Sequence, residues 1–246
     1  MKNGEKNNKN DIKYCNSIQI EIDCIIFNLD SNILKILLVK QTDNEGNVNW
    51  RFANDCLKKG ETIANTAHNI VKKYIGSEHF FMEQLKAFGY STVSSLHENI
   101  SIAYYSLING DHNILENACK LLDAKWVGVD EIEGLNDKDK LILDFSLKEL
   151  RRNICQSTIG FNLLPDKFTL LQVVHLYEKI LGIEIDKSNF RRKILQLGVV
   201  QDLNEKEENV SHRAAKLYTL KLQFQEMLSN GYLNFLYEKK NSLSII

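Results

Sequence analysis

Long apolar runs are missing from this sequence: no stretch approaches the roughly 20 consecutive apolar residues that a membrane-spanning helix needs. The opening segment MKNGEKNNKNDIK is rich in Lys and Asn and has no apolar h-region. It reads as a disordered tail over residues 1–16 and not as a secretory signal, so a cytoplasmic location is expected. Proline is nearly absent, with Pro165 the only one. Cysteine pairing is absent as well. Cys15, Cys24, Cys56, Cys119 and Cys155 are odd in number, scattered and without a C-x-x-C spacing. Reduced thiols fit that distribution better than disulfides or a zinc site. The histidines lack H-x-x-x-H spacing, so no metal or other cofactor is expected. No internal repeat is visible.

Net charge is also close to absent, at −1, but it is unevenly spread. Residues 151–221 hold twelve Lys/Arg against eight Asp/Glu, and residues 1–150 come to −5. A basic module behind an acidic one is consistent with a DNA-binding C-terminal part.

What is there reads as two rhythms. Residues 18–29 (IQIEIDCIIFNL) alternate and then run apolar, as a strand does on becoming buried, and residues 33–41 (ILKILLVKQ) form a second strand. Asp30, Ser31 and Asn32 between them are turn formers, which predicts a hairpin. Trp50, Arg51 and Phe52 open another strand after a polar loop. Residues 62–75 are good helix formers and stop at Gly76, a natural left-handed end position. Strands are expected around residues 84–90, 100–108 and 125–129. Asp137 is placed to cap a long helix with Leu141, Phe145, Leu147 and Leu150 among its apolar positions, and residues 157–160 (STIG) read as a linker.

Beyond that joint, Thr169 and Gln172 match a capping box, and the helix they open buries Val173, Tyr177 and Ile180 and stops at Gly182. Asp186 caps a second helix, DKSNFRRKILQLG, in which Phe190, Ile194 and Leu197 share a face. Lys187 with Arg191, and Ser188 with Arg192, occupy an outer flank. Residues 199–201 and 215–220 pair as a hairpin. Helix, turn, basic helix and hairpin is the order of a winged helix-turn-helix.

The run FNLLPDKFTLLQVVHLYEKILGIEIDKSNFRRKILQLGVV, with HRAAKLY after it, resembles the C-terminal domain of the Nudix-related transcriptional regulators. The first part is similar to the Nudix domain of that family through IDCIIFN, LLVKQ, Trp50, Gly60-Glu61, ISIAYYSLI and AKWVGVDEI. The resemblance implies an α+β chain: a Nudix-like α/β/α sandwich over residues 17–156, a winged helix-turn-helix over 161–222 and a C-terminal helical tail over 223–246. That tail either packs on the winged helix or joins a dimer interface. Within the family, the sugar-responsive branch, which includes arabinose-responsive regulators of carbohydrate metabolism, is the nearest likeness.

A Nudix hydrolase needs G-x5-E-x7-R-E-U-x-E-E-x-G-U, because Mg²⁺ takes hard oxygen ligands and bridges a diphosphate. With Glu61 and Gly76 aligned, Asp55 stands at the first glycine, Asn69-Ile70 at the Arg-Glu pair and Lys73-Tyr74 at the Glu-Glu pair. A lysine at a ligand position opposes cation binding, so no catalytic residue and no enzyme activity are expected. Glu61, near a helix start, is explained by the helix dipole without catalysis.

The resemblance implies a homodimer that reads a palindromic operator in double-stranded DNA. Lys187, Ser188, Asn189, Arg191 and Arg192 would enter the major groove, and Arg213 would lie on the wing. The family's glycine-rich wing is replaced by Ser211-His212 and Ala214-Ala215. An effector, expected to be a sugar, would meet Lys40, Gln41, Trp50, Arg51 and Asn54, with Trp50 either a stacking platform or a core aromatic. Two alternatives stay open: a residual Nudix hydrolase or an ADP-ribose-sensing regulator of nucleotide metabolism, and a regulator that binds a partner protein.

Overall fold

The computed structural model describes residues 19–42, 46–91, 98–110, 119, 122–208 and 213–222. The expected tails at 1–16 and 223–246 lie outside these residues. The first strand, β1 (Gln19–Asp30), turns directly into β2 (Ile33–Thr42). Ser31 and Asn32 take φ of 51° and 62°, the positive-φ pair of a two-residue hairpin, and Asp30 faces Ile33 across it. The stretch expected to open one strand at Trp50 is two strands, β3 (Val48–Arg51) and β4 (Ala53–Cys56). They pair with different neighbours, β3 with β2 and β4 with β1, so the chain must break between them at Phe52.

Helix α1 (Ile63–Ile75) follows, with Thr62 accepting from Asn65 N and Gly76 left-handed at its end. Then come β5 (Phe81–Ser91), β6 (Glu98–Ile108) and β7 (Ala124–Gly128). Among the described residues the sheet has seven strands, in the order β3-β2-β1-β6-β5, with β4 on β1 and β7 on β2. β1 runs parallel to β6, and the other pairs are antiparallel.

β1 is central and therefore covered on both sides. Ile22, Cys24 and Ile26 face α1, where Ala67, Ile70, Val71 and Ile75 pack. Ile25 and Phe27, with Ile36, Leu38, Ala103 and Tyr105, face the other layer. That layer is α2 (Asp137–Gln156). Its cap is Asn136, whose Oδ1 accepts from Asp139 N at 2.8 Å, and not the expected Asp137, which begins the helix. The buried face is Ile142, Leu143, Leu147, Leu150 and Ile154, while Leu141, expected inside, is 64% exposed. A helix of period 3.6 cannot bury Leu141 together with its two successors.

The expected linker at 157–160 is a packed joint. Ile159–Leu163 form a 3-10 turn, and Ile159, Gly160, Phe161 and Leu163 are buried. A Cβ on Gly160 would stand 3.4 Å from Ile154 Cγ2 and 3.5 Å from Leu176 Cδ2. Helix α3 (Leu170–Leu181) begins at the Thr169/Gln172 capping box and ends at left-handed Gly182. Helix α4 (Lys187–Leu197) ends at left-handed Gly198. β8 (Val200–Lys206) and β9 (Lys216–Leu220) make the wing, and Phe168 bridges to Tyr218 beside them. One hydrophobic cluster runs from Ile25 and Tyr105 in the sheet through α2 to Tyr177, Phe190 and Tyr218.

Candidate functional site

The basic surface of the winged helix is built by a cap and an anchor. Asp186 Oδ1 accepts from Ser188 N at 2.9 Å and from Asn189 N at 3.0 Å, which starts α4 in a fixed direction. Phe190 and Ile194 are buried, and the Phe190 ring lies 5.0 Å from that of Tyr177. With that face held, Lys187, Ser188, Asn189 and Arg192 are exposed. Arg191 departs from the expected exposed flank. It is half-buried, and its Nε is buried with no acceptor among the described residues. Asn189 Nδ2 donates to Asp186 Oδ2 at 2.7 Å, and Asn189 Oδ1 accepts from Arg192 at 2.9 Å, so this amide already ties cap to guanidinium. Arg213 is exposed just before β9, and Ser211-His212 lie outside the described residues.

In the first domain the five expected effector residues fall into two groups. Lys40 and Trp50 are cross-strand partners of β2 and β3. Trp50 is half-buried against the core, and Lys125 Nζ sits 4.0 Å from its ring centroid, so a cation already covers part of that ring. Gln41, Arg51 and Asn54 are joined by hydrogen bonds. Gln41 Nε2 donates to Asn54 Oδ1 at 3.0 Å, and Arg51 donates to Gln41 Oε1 at 3.5 Å.

Arg51 belongs above all to an ion cluster that the sequence reading missed. Its guanidinium pairs with Asp139 at 3.2 Å, Glu21 at 3.3 Å and Asp23 at 3.7 Å. Lys138 Nζ lies 2.6 Å from Glu21 and 2.7 Å from Asp23. Ser101 Oγ donates to Asp23 Oδ2, while Asp23 Oδ1, which faces Arg51 at 3.7 Å, is buried without a hydrogen bond among the described residues. Burial pushes the Asp23 carboxyl above the usual carboxylate range, against the pull of Lys138. For Arg51, burial acts to lower the pKa, but the Asp139 carboxylate beside it wins and the net shift is upward. The cluster pins the start of α2 to the sheet. Its signal in the sequence was the alternation IEIDC, which sets Glu21 and Asp23 on the α2 face of an otherwise apolar strand.

On the opposite face, α1 presents Thr66, Asn69, Ile70, Lys73 and Tyr74 along one flank, at spacings of three and four. With Asn54, Asp55, Lys58 and Glu61 these residues line a pocket of about 200 Å³. Asp55 pairs with Lys58 at 3.1 Å, and Glu61 accepts from Thr66 Oγ1 at 3.0 Å. Burial acts to raise the Asp55 pKa, but the Lys58 hydrogen bond and the Cys56 N–H prevail and lower it. With Glu61 and Gly76 aligned to the Nudix box, the positions expected to hold Mg²⁺ fall on this flank. Among the described residues no cluster of three or more His, Cys, Asp or Glu is placed to hold a metal. Asn69, Ile70, Lys73 and Tyr74 supply no carboxylate, and Lys73 brings a positive charge, so the donor set does not fit Mg²⁺.

Comparison with known proteins finds the same two-part plan. Residues 160–220 match the family model of the NrtR DNA-binding winged helix domain. An ADPR responsive transcriptional repressor, NtrR, of Acinetobacter baylyi is 24% identical over 208 residues, covering 82% of each chain. The crystal structure of Shewanella oneidensis NrtR complexed with a 27mer DNA superposes with a TM-score of 0.70 at 21% identity, over 87% of this chain and 97% of that one. A MutT/nudix family protein from Enterococcus faecalis follows at a TM-score of 0.61 and 17% identity, over 83% and 88% of the two chains. The fold is a Nudix-like domain followed by a winged helix.

Proposed function

We propose that this chain is a ligand-responsive transcription regulator. It reads operator DNA through α4 and answers to an ADP-ribose-type nucleotide held, without hydrolysis, by its Nudix-like domain. One observation carries the reading: an exposed basic helix start on a winged helix shares a core with a Nudix-like domain whose box helix has lost its carboxylates. The effector is moved from the free sugar first expected to ADP-ribose because the relative from Acinetobacter is described as ADPR responsive. No comparison speaks for a sugar. Lys187, Ser188, Asn189, Arg191 and Arg192 face the major groove, Arg213 touches backbone or minor groove, and two copies of the chain bind a two-fold operator.

The test is fluorescence anisotropy with a duplex selected by the protein from a random library, beside a scrambled duplex, across a salt series. Arg192→Lys keeps charge but loses the bidentate fork, so preference for the selected duplex should fall about tenfold, within the roughly 1–3 kcal/mol of one base contact, with scrambled-duplex binding unchanged. ADP-ribose should shift the affinity for the selected duplex. Absence of duplex binding would sink the regulator reading. Steady turnover of ADP-ribose with Mg²⁺, lost in Glu61→Gln, would restore the hydrolase alternative.

A further inference from the structure

The Nudix frame sets a cation-bridged diphosphate against the box helix, and this chain sets a lysine there. We propose that the pocket between β4 and α1 binds a diphosphate without any divalent cation. The Lys73 ammonium takes the charge-neutralising place of the metal, and the Asn54 amide completes the contacts. The proposal rests on the reading of the Nudix-like domain as the effector domain.

Lys73 is exposed and makes no ion pair among the described residues; its ammonium stands 5.2 Å from the Tyr74 ring centroid, on the flank of α1 that lines the pocket. A lysine is a compact point charge, suited to phosphate oxygens. Asn54 Nδ2 is buried without an acceptor among the described residues, while its Oδ1 is held by Gln41. A buried donor left unmade is unfavourable, and Asn54 lines the pocket, so a small turn of this amide would offer the donor to an oxyanion there. The two carboxylates of the pocket are already engaged, Asp55 by Lys58 and Glu61 by the Thr66 hydroxyl. The volume of about 200 Å³ is below the roughly 300–1,000 Å³ of sites that enclose a whole ligand. It suits the phosphates, with the rest of the molecule lying outside.

The experiment is isothermal titration of the full chain with ADP-ribose, inorganic pyrophosphate and arabinose, each in EDTA and in Mg²⁺. The expected result is that ADP-ribose binds equally in both buffers. Lys73→Ala should weaken ADP-ribose and pyrophosphate about tenfold, the scale of one charge-assisted contact, while Lys73→Arg keeps most of the affinity. Lys73 is exposed, so both variants should melt like the parent protein. A requirement for Mg²⁺, or undiminished binding by Lys73→Ala, would overturn the metal-free site and leave the effector reading standing. Lys73-dependent pyrophosphate binding in EDTA without ADP-ribose binding would support the site and overturn the effector. Binding of arabinose alone would overturn both.

Discussion

Asp23 shows how much a single residue can depend on its surroundings. It is fully buried on the central strand, with Lys138 and Arg51 on one side and Glu21 beside it. Desolvation holds its folded pKa above the unfolded value, so in the interval between them the native state binds more protons. Its contribution to stability is therefore present at low pH and lost as pH rises through the folded pKa. Asp23→Asn removes that titration and leaves Glu21 and Asp139 to match Arg51 and Lys138. The difference in melting temperature, variant minus parent, should move in the variant's favour as pH is raised from the ordinary carboxylate range upward. A difference that stays flat with pH would show that Asp23 titrates alike in both states.

Among the elements, α3 carries the clearest local code. Thr169 Oγ1 accepts from Gln172 N at 3.2 Å, and Gln172 Oε1 accepts from Thr169 N at 2.7 Å. Thr169 is itself buried, so water cannot replace these bonds. Thr169→Ala should cost about 1 kcal/mol or somewhat more of unfolding free energy, read in urea denaturation. A loss under a few tenths would mean the box contributes little. Helix α2 is the opposite case. Its apolar stripe was legible, and Leu147 and Leu150 are buried, but Leu141 lies outside because Ile142 and Leu143 are buried together.

At the scale of the whole molecule, the joint between sheet and winged helix is a core and not a tether. Arg151 Nε donates to Ile180 O at 2.9 Å, Tyr177 OH to Ile154 O at 3.2 Å, and Asn109 Nδ2 to Leu164 O at 2.8 Å. These bonds tie α2 and the sheet to both sides of the joint. Calorimetry should accordingly show one cooperative transition for both parts, with calorimetric and van't Hoff enthalpies equal. Two separated transitions would show that the parts fold independently.

The sequence by itself determined whatever depends on neighbours along the chain. The Ser31-Asn32 turn, the caps at Thr62, Thr169 and Asp186, the glycine stops at 76, 182 and 198, and the order of the winged helix are all set by short-range geometry. The loss of the box carboxylates was legible for the same reason, since the motif is a spacing. What only the tertiary structure decided are encounters between distant segments. Arg51 meets Asp139 across 88 residues and Lys138 meets Asp23 across 115, and no periodicity announces either pair. Asn54 comes to line the α1 pocket because β4 leaves β3 to pair with β1. Burial is a property of the packed chain, and burial is what raises the pKa of Asp23, seals Arg191 Nε and turns an apparent linker into core.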